Sequence, residues 1–244
     1  MIHPTARGFA AAADVYERAR PDYPAAALDH IVEVLGLDPG AHVVDVGAGT
    51  GKFARQLVER GLRVTGVEPI AEMRAVFERV VDADIVEGTA ESIPLGDGTA
   101  DAATAAQAFH WFDPGRAFPE LKRVLRPRGG IALIWNVRDE SHPLHRSYAE
   151  TIRPYKGDAY PDGGAHPEGR PLASPLFTNL QERVFSHAQL MDADGLVARA
   201  ASVSFIARLP DEERAELFQR IRALAPAGTF EFPYVTKVFT ALSR

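Results

Sequence analysis

The sequence predicts an α/β fold, a mostly parallel seven-stranded sheet with helices on both faces. Three observations carry this. From residue 42 onward, short apolar runs alternate with amphipathic helical stretches, as when crossover helices join parallel strands. A glycine-rich segment, Gly47-Ala48-Gly49-Thr50-Gly51, stands between the first such run and the first such helix. The run Ile131 to Val137 is apolar almost throughout, which suits a central strand covered on both faces.

The elements follow in order. Ala10 to Arg20 reads as a helix, Pro21-Asp22-Tyr23-Pro24 breaks it, and a second helix runs from Ala25 to Leu35. His42-Val43-Val44-Asp45-Val46 is the first strand. Lys52 to Arg60 is helical, with Phe53, Ala54, Leu57 and Val58 on one face and Gly61 suited to the position just past its end. Arg63 to Glu68 makes the second strand, after which Ile70, Met73, Val76, Phe77 and Val80 recur at helical spacing. Ile85-Val86 is a short third strand and Ala102 to Ala106 a fourth. Phe118, Leu121, Val124 and Leu125 mark the next helix, whose Pro119 must lie in the first turn or bend it. Gly129-Gly130 is expected to end that helix and release the fifth strand.

Tyr155 to Pro175 is dense in Pro and Gly and reads as a loop or lid. Beyond it come a strand near Val184 to Gln189 and a helix near Asp192 to Ala200. Another helix opens at Pro210-Asp211-Glu212-Glu213, with Pro at its first position and Leu217, Phe218, Ile221 and Leu224 inward. Pro233 to Ala241 is the last strand. The expected organisation is one domain over 1–244: an N-terminal helical cover (1–40), a core (41–137), an insertion or lid (138–180), and C-terminal strands and helices (181–244).

Composition mainly excludes. The chain has 244 residues, 27 Lys plus Arg against 33 Asp plus Glu, a net charge of −6, and no cysteine. Disulfides, thiolate metal sites and a cysteine nucleophile are therefore out. The acidic, scattered charge argues against a nucleic-acid partner. The longest stretches free of Asp, Glu, Lys and Arg are 11 residues, about half of what a membrane-spanning helix needs. The segment Met1 to Arg7 has no apolar run of the signal-peptide kind. The expectation is a cytoplasmic protein, monomer or homodimer, with a small-molecule partner.

The glycine segment is the strongest functional signal. The dinucleotide pattern G-x-G-x-x-G would need glycine where Lys52 stands, and the P-loop would need glycine at Val46 and a hydroxyl at Phe53. What remains is acid-x-G-x-G-x-G, with Glu68 at the end of the next strand. A carboxylate there can accept both hydroxyls of a ribose.

Val44 to Gly51, Gly66-Val67-Glu68-Pro69, Gly88 to Pro94, Ala106 to Phe112 and Arg123 to Gly130 together resemble the class I S-adenosylmethionine-dependent methyltransferases, with a type 11 methyltransferase domain. The run Ala108-Phe109-His110-Trp111-Phe112-Asp113, with Tyr16, Arg20 and Tyr23 upstream, looks most like the trans-aconitate methyltransferase-like branch. The resemblance implies a Rossmann-like sheet closed by an antiparallel C-terminal hairpin strand, and S-adenosyl-L-methionine as cofactor. By the same resemblance, Asp45, Gly47, Ala48, Gly49 and Gly51 line the methionine and ribose part. Glu68 takes the ribose hydroxyls, Pro69 and Met73 pack near the adenine, and Ala90 and Glu91 sit at its edge. Gln107 reaches the methionine, with Tyr16 and Arg20 closing over it; for Arg20, an ordinary helix-end packing role stays open.

Ligands of open α/β sheets bind beyond the carboxyl ends of the strands. That places His110 and Trp111 after strand four, and Trp135, Asn136 and Arg138 at the end of strand five, nearest a transferable methyl. In-line displacement needs alignment above all, and a base only if the acceptor carries a high-pKa proton. His110 is the candidate base, or else a structural histidine. Trp111 and Trp135 are pocket walls or core, and Arg138 would clamp a carboxylate acceptor. His142 and His145 share a helix face without a third ligand at a recognised spacing, so a solvated helix and no metal is expected. Other chemistry with the same cofactor, such as cyclisation, and cofactor binding without catalysis both stay open.

Overall fold

The computed structural model of the chain describes residues 17–139, 141–156, 174–178 and 180–244. Seven strands form one sheet: β1 (His42–Val46), β2 (Arg63–Val67), β3 (Asp84–Val86), β4 (Ala100–Ala106), β5 (Leu125–Arg138), β6 (Gln181–Met191) and β7 (Phe230–Leu242). Their order across the sheet is β3-β2-β1-β4-β5-β7-β6. The first five pair in parallel, while β7 runs antiparallel to both β5 and β6. The expected Rossmann-like sheet with its antiparallel C-terminal pair is thus present.

Seven helices accompany it among the described residues: α1 (Ala25–Leu35), α2 (Lys52–Val58), α3 (Ala71–Val80), α4 (Pro114–Val124), α5 (Pro143–Ile152), α6 (Ala193–Ala201) and α7 (Asp211–Arg222). Successive strand side chains face opposite ways, which divides the core in two. Val43, Ala102, Ala132 and Ile134 pack against Leu28 and Ile31 of α1 and Phe53 and Leu57 of α2. Val44, Ala103, Leu133 and Trp135 face the other way, onto Phe118 and Leu121 of α4. A third cluster joins α5, α6 and α7 to Phe232 and Tyr234 of β7. No helix among the described residues is long and apolar enough to cross a membrane.

Several boundaries differ from the sequence expectation. Helix α4 ends at Val124, well before Gly129-Gly130, and β5 begins at once at Leu125. The glycines serve close packing instead: a Cβ on Gly130 would come 2.6 Å from Leu35 and 2.9 Å from the Ala241 carbonyl. Pro119 lies inside α4, past its first turn, while Asp113 caps the start by accepting from Gly115 N–H at 3.0 Å. Pro210 is the N-cap of α7 rather than its first residue. His145 is not solvated: it is fully buried, stacked on Phe232 at 3.7 Å, with Nε2 bonded to the Pro233 carbonyl. Arg126 and Arg128, ahead of Gly129-Gly130, already lie in β5. The helix expected over Ala10 to Arg20 and the lid at Tyr155 to Pro175 fall largely outside the described residues.

Candidate active site

A cleft opens at the carboxyl ends of β1, β2 and β4 and runs on toward β7. The glycine turn forms its floor. Gly47, Gly49 and Gly51 have φ of 70°, 57° and 89°, a region that L side chains enter at a cost. Gly49 lines the cleft, and a Cβ there would meet nothing within 4 Å. Gly51 points the other way, its hypothetical Cβ 2.4 Å from Val81 and 2.7 Å from Phe77.

Glu68, just past β2, binds the turn to its own loop. Its Oε2 accepts from Gly49 N–H at 3.0 Å and its Oε1 from Ile70 N–H at 2.9 Å. Burial pushes its carboxyl pKa up, opposed by those two hydrogen bonds and by Arg74. Each carboxylate oxygen keeps a lone pair for a further donor. Pro69, Ile70 and Met73 continue the wall, with Thr89, Ala90 and Glu91 opposite. Glu91 spends one oxygen on Asp113 N–H at 2.8 Å.

At the end of β4, Gln107 lies in the left-handed region at φ 55°. The conformation is held from both sides, by Gln107 N–H to the Ile134 carbonyl (2.8 Å) and by Nε2 to the Asn136 carbonyl (2.7 Å). A single 3-10 turn, Phe109–Trp111, then brings His110 and Trp111 to the cleft with their rings 4.6 Å apart. Trp135 is fully buried behind His110, and its Nε1–H donates to His110 Nδ1 at 3.4 Å. Indole nitrogen only donates, so neutral His110 carries its own proton on Nε2.

Arg20, Pro21 and Tyr23 close one side. Glu17 accepts from Thr50 (2.6 Å) and Arg55 (2.8 Å), while Arg20 donates to the Ser202 hydroxyl and carbonyl, both at 3.0 Å. Arg20, Gln107, Asn136, Arg199 and Tyr234 all line the cleft. Arg199 and Tyr234 were not singled out by sequence. Tyr16 lies outside the described residues.

Four expected residues do not line the cleft. Gly51 faces α3 and Trp135 the core. Arg138 stands over the Tyr148 ring, its Cζ 5.7 Å from the centroid. Asp45 is 1% exposed beneath the turn; its Oδ1 accepts from Thr104 Oγ1 at 2.8 Å, and its Oδ2 has no partner among the described residues. Burial pushes the Asp45 carboxyl up to about 7, with the Thr104 bond pulling down and the Glu68 charge adding to the rise.

A pH dependence follows. Between its ordinary 3.8 and about 7, Asp45 holds a proton in the folded chain that the unfolded chain has lost. Its contribution to stability is therefore full below 3.8 and lost as pH rises toward 7, by up to about 1.4 kcal/mol per pH unit. His145 runs the other way. Burial holds it near 4 against an ordinary 6.5, so its contribution is lost as pH falls through that window. The two oppose each other, and Asp45→Asn separates them. Its melting temperature relative to the parent should climb between about pH 5 and pH 8; a difference flat with pH contradicts the assignment.

Comparison with known proteins bears on the family and the fold. Residues 44–133 match a family described as a methyltransferase domain. An uncharacterized methyltransferase of Mycobacterium tuberculosis is 39% identical over 236 residues, covering 93% of this chain and 92% of the relative. A solved structure of a candidate type II methyltransferase from Anaeromyxobacter dehalogenans superposes with a TM-score of 0.63 at 23% identity, over 92% and 97% of the two chains. A phosphoethanolamine N-methyltransferase of Haemonchus contortus, solved with S-adenosylhomocysteine, gives 0.53 at 16% identity, over 98% of this chain and 57% of that one. With a sheet of this order, a glycine turn tied to the acid after β2, and a relative this similar over nearly its whole length, the chain belongs to the class I S-adenosylmethionine-dependent methyltransferases.

Proposed function

We propose that the cleft binds S-adenosylmethionine along β2, β1 and β4 and presents its methyl to a small-molecule acceptor entering from the β5–β7 side. The observation that carries this reading is Glu68, whose carboxylate sets the Gly49 backbone while keeping lone pairs for two ribose hydroxyls. Pro69, Ile70 and Met73 offer an apolar face to a purine, and Ala90 and Glu91 bound its edge. The absence of a side chain at Gly49 lets the backbone approach the ligand. Gln107 and Arg20 meet the methionine end, Arg20 through paired hydrogen bonds to a carboxylate. Asp45 and Gly51 act from beneath, by shaping the turn.

Bound there, the sulfonium supplies an activated methyl group, and the chain's work is to align the acceptor with it. Trp111 is a wall of the acceptor space. His110, with its proton on Nε2, serves as a hydrogen-bond donor that orients the acceptor; Trp135 keeps it in that tautomer. The 244 residues work as one domain.

His110→Ala tests this. Turnover should fall roughly 10- to 100-fold, the scale of lost alignment, with S-adenosylhomocysteine affinity nearly unchanged. Unaltered turnover would reduce His110 to a structural part.

A further inference from the structure

Past β4 the cleft reaches a hydroxyl that the cofactor reading does not use. Tyr234, on β7, is only 1% exposed yet lines the cleft, as does Arg199 on α6. Arg199 Nε donates to the Tyr234 hydroxyl at 3.1 Å, so the hydroxyl end of the ring is the end at the cleft wall. The body of the ring is held from other directions. His187 of β6 stacks on it at 5.6 Å, and the rings of His145 and Phe232 meet it edge-on at 5.5 and 5.6 Å. Its backbone pairs with Arg138 of β5 on one side and with His187 on the other. A ring packed this closely cannot turn its hydroxyl elsewhere.

A phenolic hydroxyl accepts and donates at once. The Tyr234 oxygen accepts from Arg199, and that is its one hydrogen bond among the described residues, so its own proton is left to give. Whatever else the guanidinium holds, this bond and its direction stand. A buried donor left unpaired costs stability, and a ligand in the cleft can supply the missing acceptor. Neighbouring amides are already engaged. Asn136 Oδ1 receives Thr236 Oγ1 at 2.6 Å and lies 3.3 Å from His187 Nε2, while its Nδ2 donates to the Asp22 carbonyl at 3.2 Å. Gln107 Nε2 is bonded to the Asn136 carbonyl.

Position along the sheet decides which ligand meets this proton. Glu68 follows β2, the glycine turn follows β1, and Gln107 follows β4. Tyr234 lies on β7, two places beyond β4 in the sheet order. A cofactor seated from β2 to β4 leaves that end to the second substrate.

We infer that Tyr234, its hydroxyl accepting from Arg199, donates a hydrogen bond to a carbonyl or carboxylate oxygen of the methyl acceptor. This rests on the cofactor placement proposed above. Tyr234 is then a specificity-determining residue supplied by the antiparallel end of the sheet. A molecule without such an oxygen leaves the proton unpaired, and that is what discriminates against it.

Ligand-observed NMR on the full chain tests it, with acetophenone, benzoate and ethylbenzene titrated with and without S-adenosylhomocysteine. Acetophenone and ethylbenzene differ only by the carbonyl oxygen. Acetophenone or benzoate should bind saturably and at least about threefold more tightly than ethylbenzene, and the stronger of the two tells a neutral oxygen from a charged one. Tyr234→Phe keeps the ring and its packing. It should weaken that fragment about three- to tenfold and leave ethylbenzene and S-adenosylhomocysteine within about twofold. The inference is overturned if neither oxygen-bearing fragment exceeds ethylbenzene, if Tyr234→Phe keeps the preference, or if that variant loses S-adenosylhomocysteine instead. The last result would assign Tyr234 to the cofactor. Should Tyr234→Phe not fold, meta-fluorotyrosine placed at position 234 keeps the hydroxyl and gives a second reading. Its fluorine resonance should move with the oxygen-bearing fragment and not with ethylbenzene; an equal response to both overturns the inference. Failure of the parent chain to bind S-adenosylhomocysteine strikes the cofactor placement alone, because the fragment titrations without it still read the pocket.

Discussion

Replacing Glu68 with alanine is expected to weaken S-adenosylhomocysteine binding by about 2–5 kcal/mol, roughly thirty- to several-thousand-fold. Two losses combine. A charged acceptor for two ribose hydroxyls disappears, each such bond contributing about 1.5–3 kcal/mol. The Gly49 and Ile70 N–H groups, now held at 3.0 and 2.9 Å, are released, so the turn is less ordered before the ligand arrives. The carboxylate's own burial, which raises its pKa, is a cost that alanine removes. The fold should therefore suffer far less than the affinity. Calorimetry beside a melting curve separates the two. Glu68→Gln keeps one carbonyl oxygen but turns amide protons toward backbone N–H donors, so it should bind only slightly better than alanine. Affinity unchanged in both variants would remove Glu68 from the site.

Gly51→Ala should be a small change that damages the fold. At φ 89° a Cβ adds strain of about 1–2 kcal/mol. The same Cβ, 2.4 Å from Val81 and 2.7 Å from Phe77, must push two core side chains of the α3 region aside, which costs about 1–3 kcal/mol more. A total of about 2–5 kcal/mol lowers the melting temperature by very roughly 2–4 °C per kcal/mol in a chain of this size. Gly49→Ala is the counterpart. Its Cβ meets nothing within 4 Å, so the stability cost stops at backbone strain. Because Gly49 lines the cleft, its effect should fall on cofactor affinity instead. Equal melting temperatures for the two variants would contradict the division of labour between these glycines.

Much of this architecture was legible because its signals are local. Val43, Val44 and Val46 around Asp45, followed by three spaced glycines and an acid after the next strand, specify a strand, a turn and a binding edge by short-range sterics alone. The apolar spacing in Ala25–Leu35 likewise marks α1 at its observed bounds. Long-range packing decided the rest. Leu125 to Gly130 looked like a helix end and a turn, but pairing with β4 across an irregular register at Ala100 and Ala102 draws it into β5. His145 and Arg199 carry polar side chains at helical positions, which sequence alone reads as solvent-facing. Only the docking of α5 and α6 against β7 buries them. Gln107 gives no sequence sign of its positive φ, since the carbonyls of Ile134 and Asn136 that hold it come from a neighbouring strand.

Arg138 shows the same limit. Its place at the end of β5 suggested a clamp in the cleft, but the side chain turns to Tyr148, and the arginines that line the cleft among the described residues are Arg20 and Arg199. A charge visible in the sequence has no address until the fold supplies one.

The central claim is that the bound cofactor gives up its methyl group, and no other part, to a small molecule. Mass spectrometry of the purified chain incubated with methyl-labelled S-adenosylmethionine and a small-molecule extract tests it directly. The expected result is S-adenosylhomocysteine together with a product carrying one labelled methyl, both lost in Glu68→Ala. Accumulation of methylthioadenosine, or cofactor consumed without any labelled product, would contradict it.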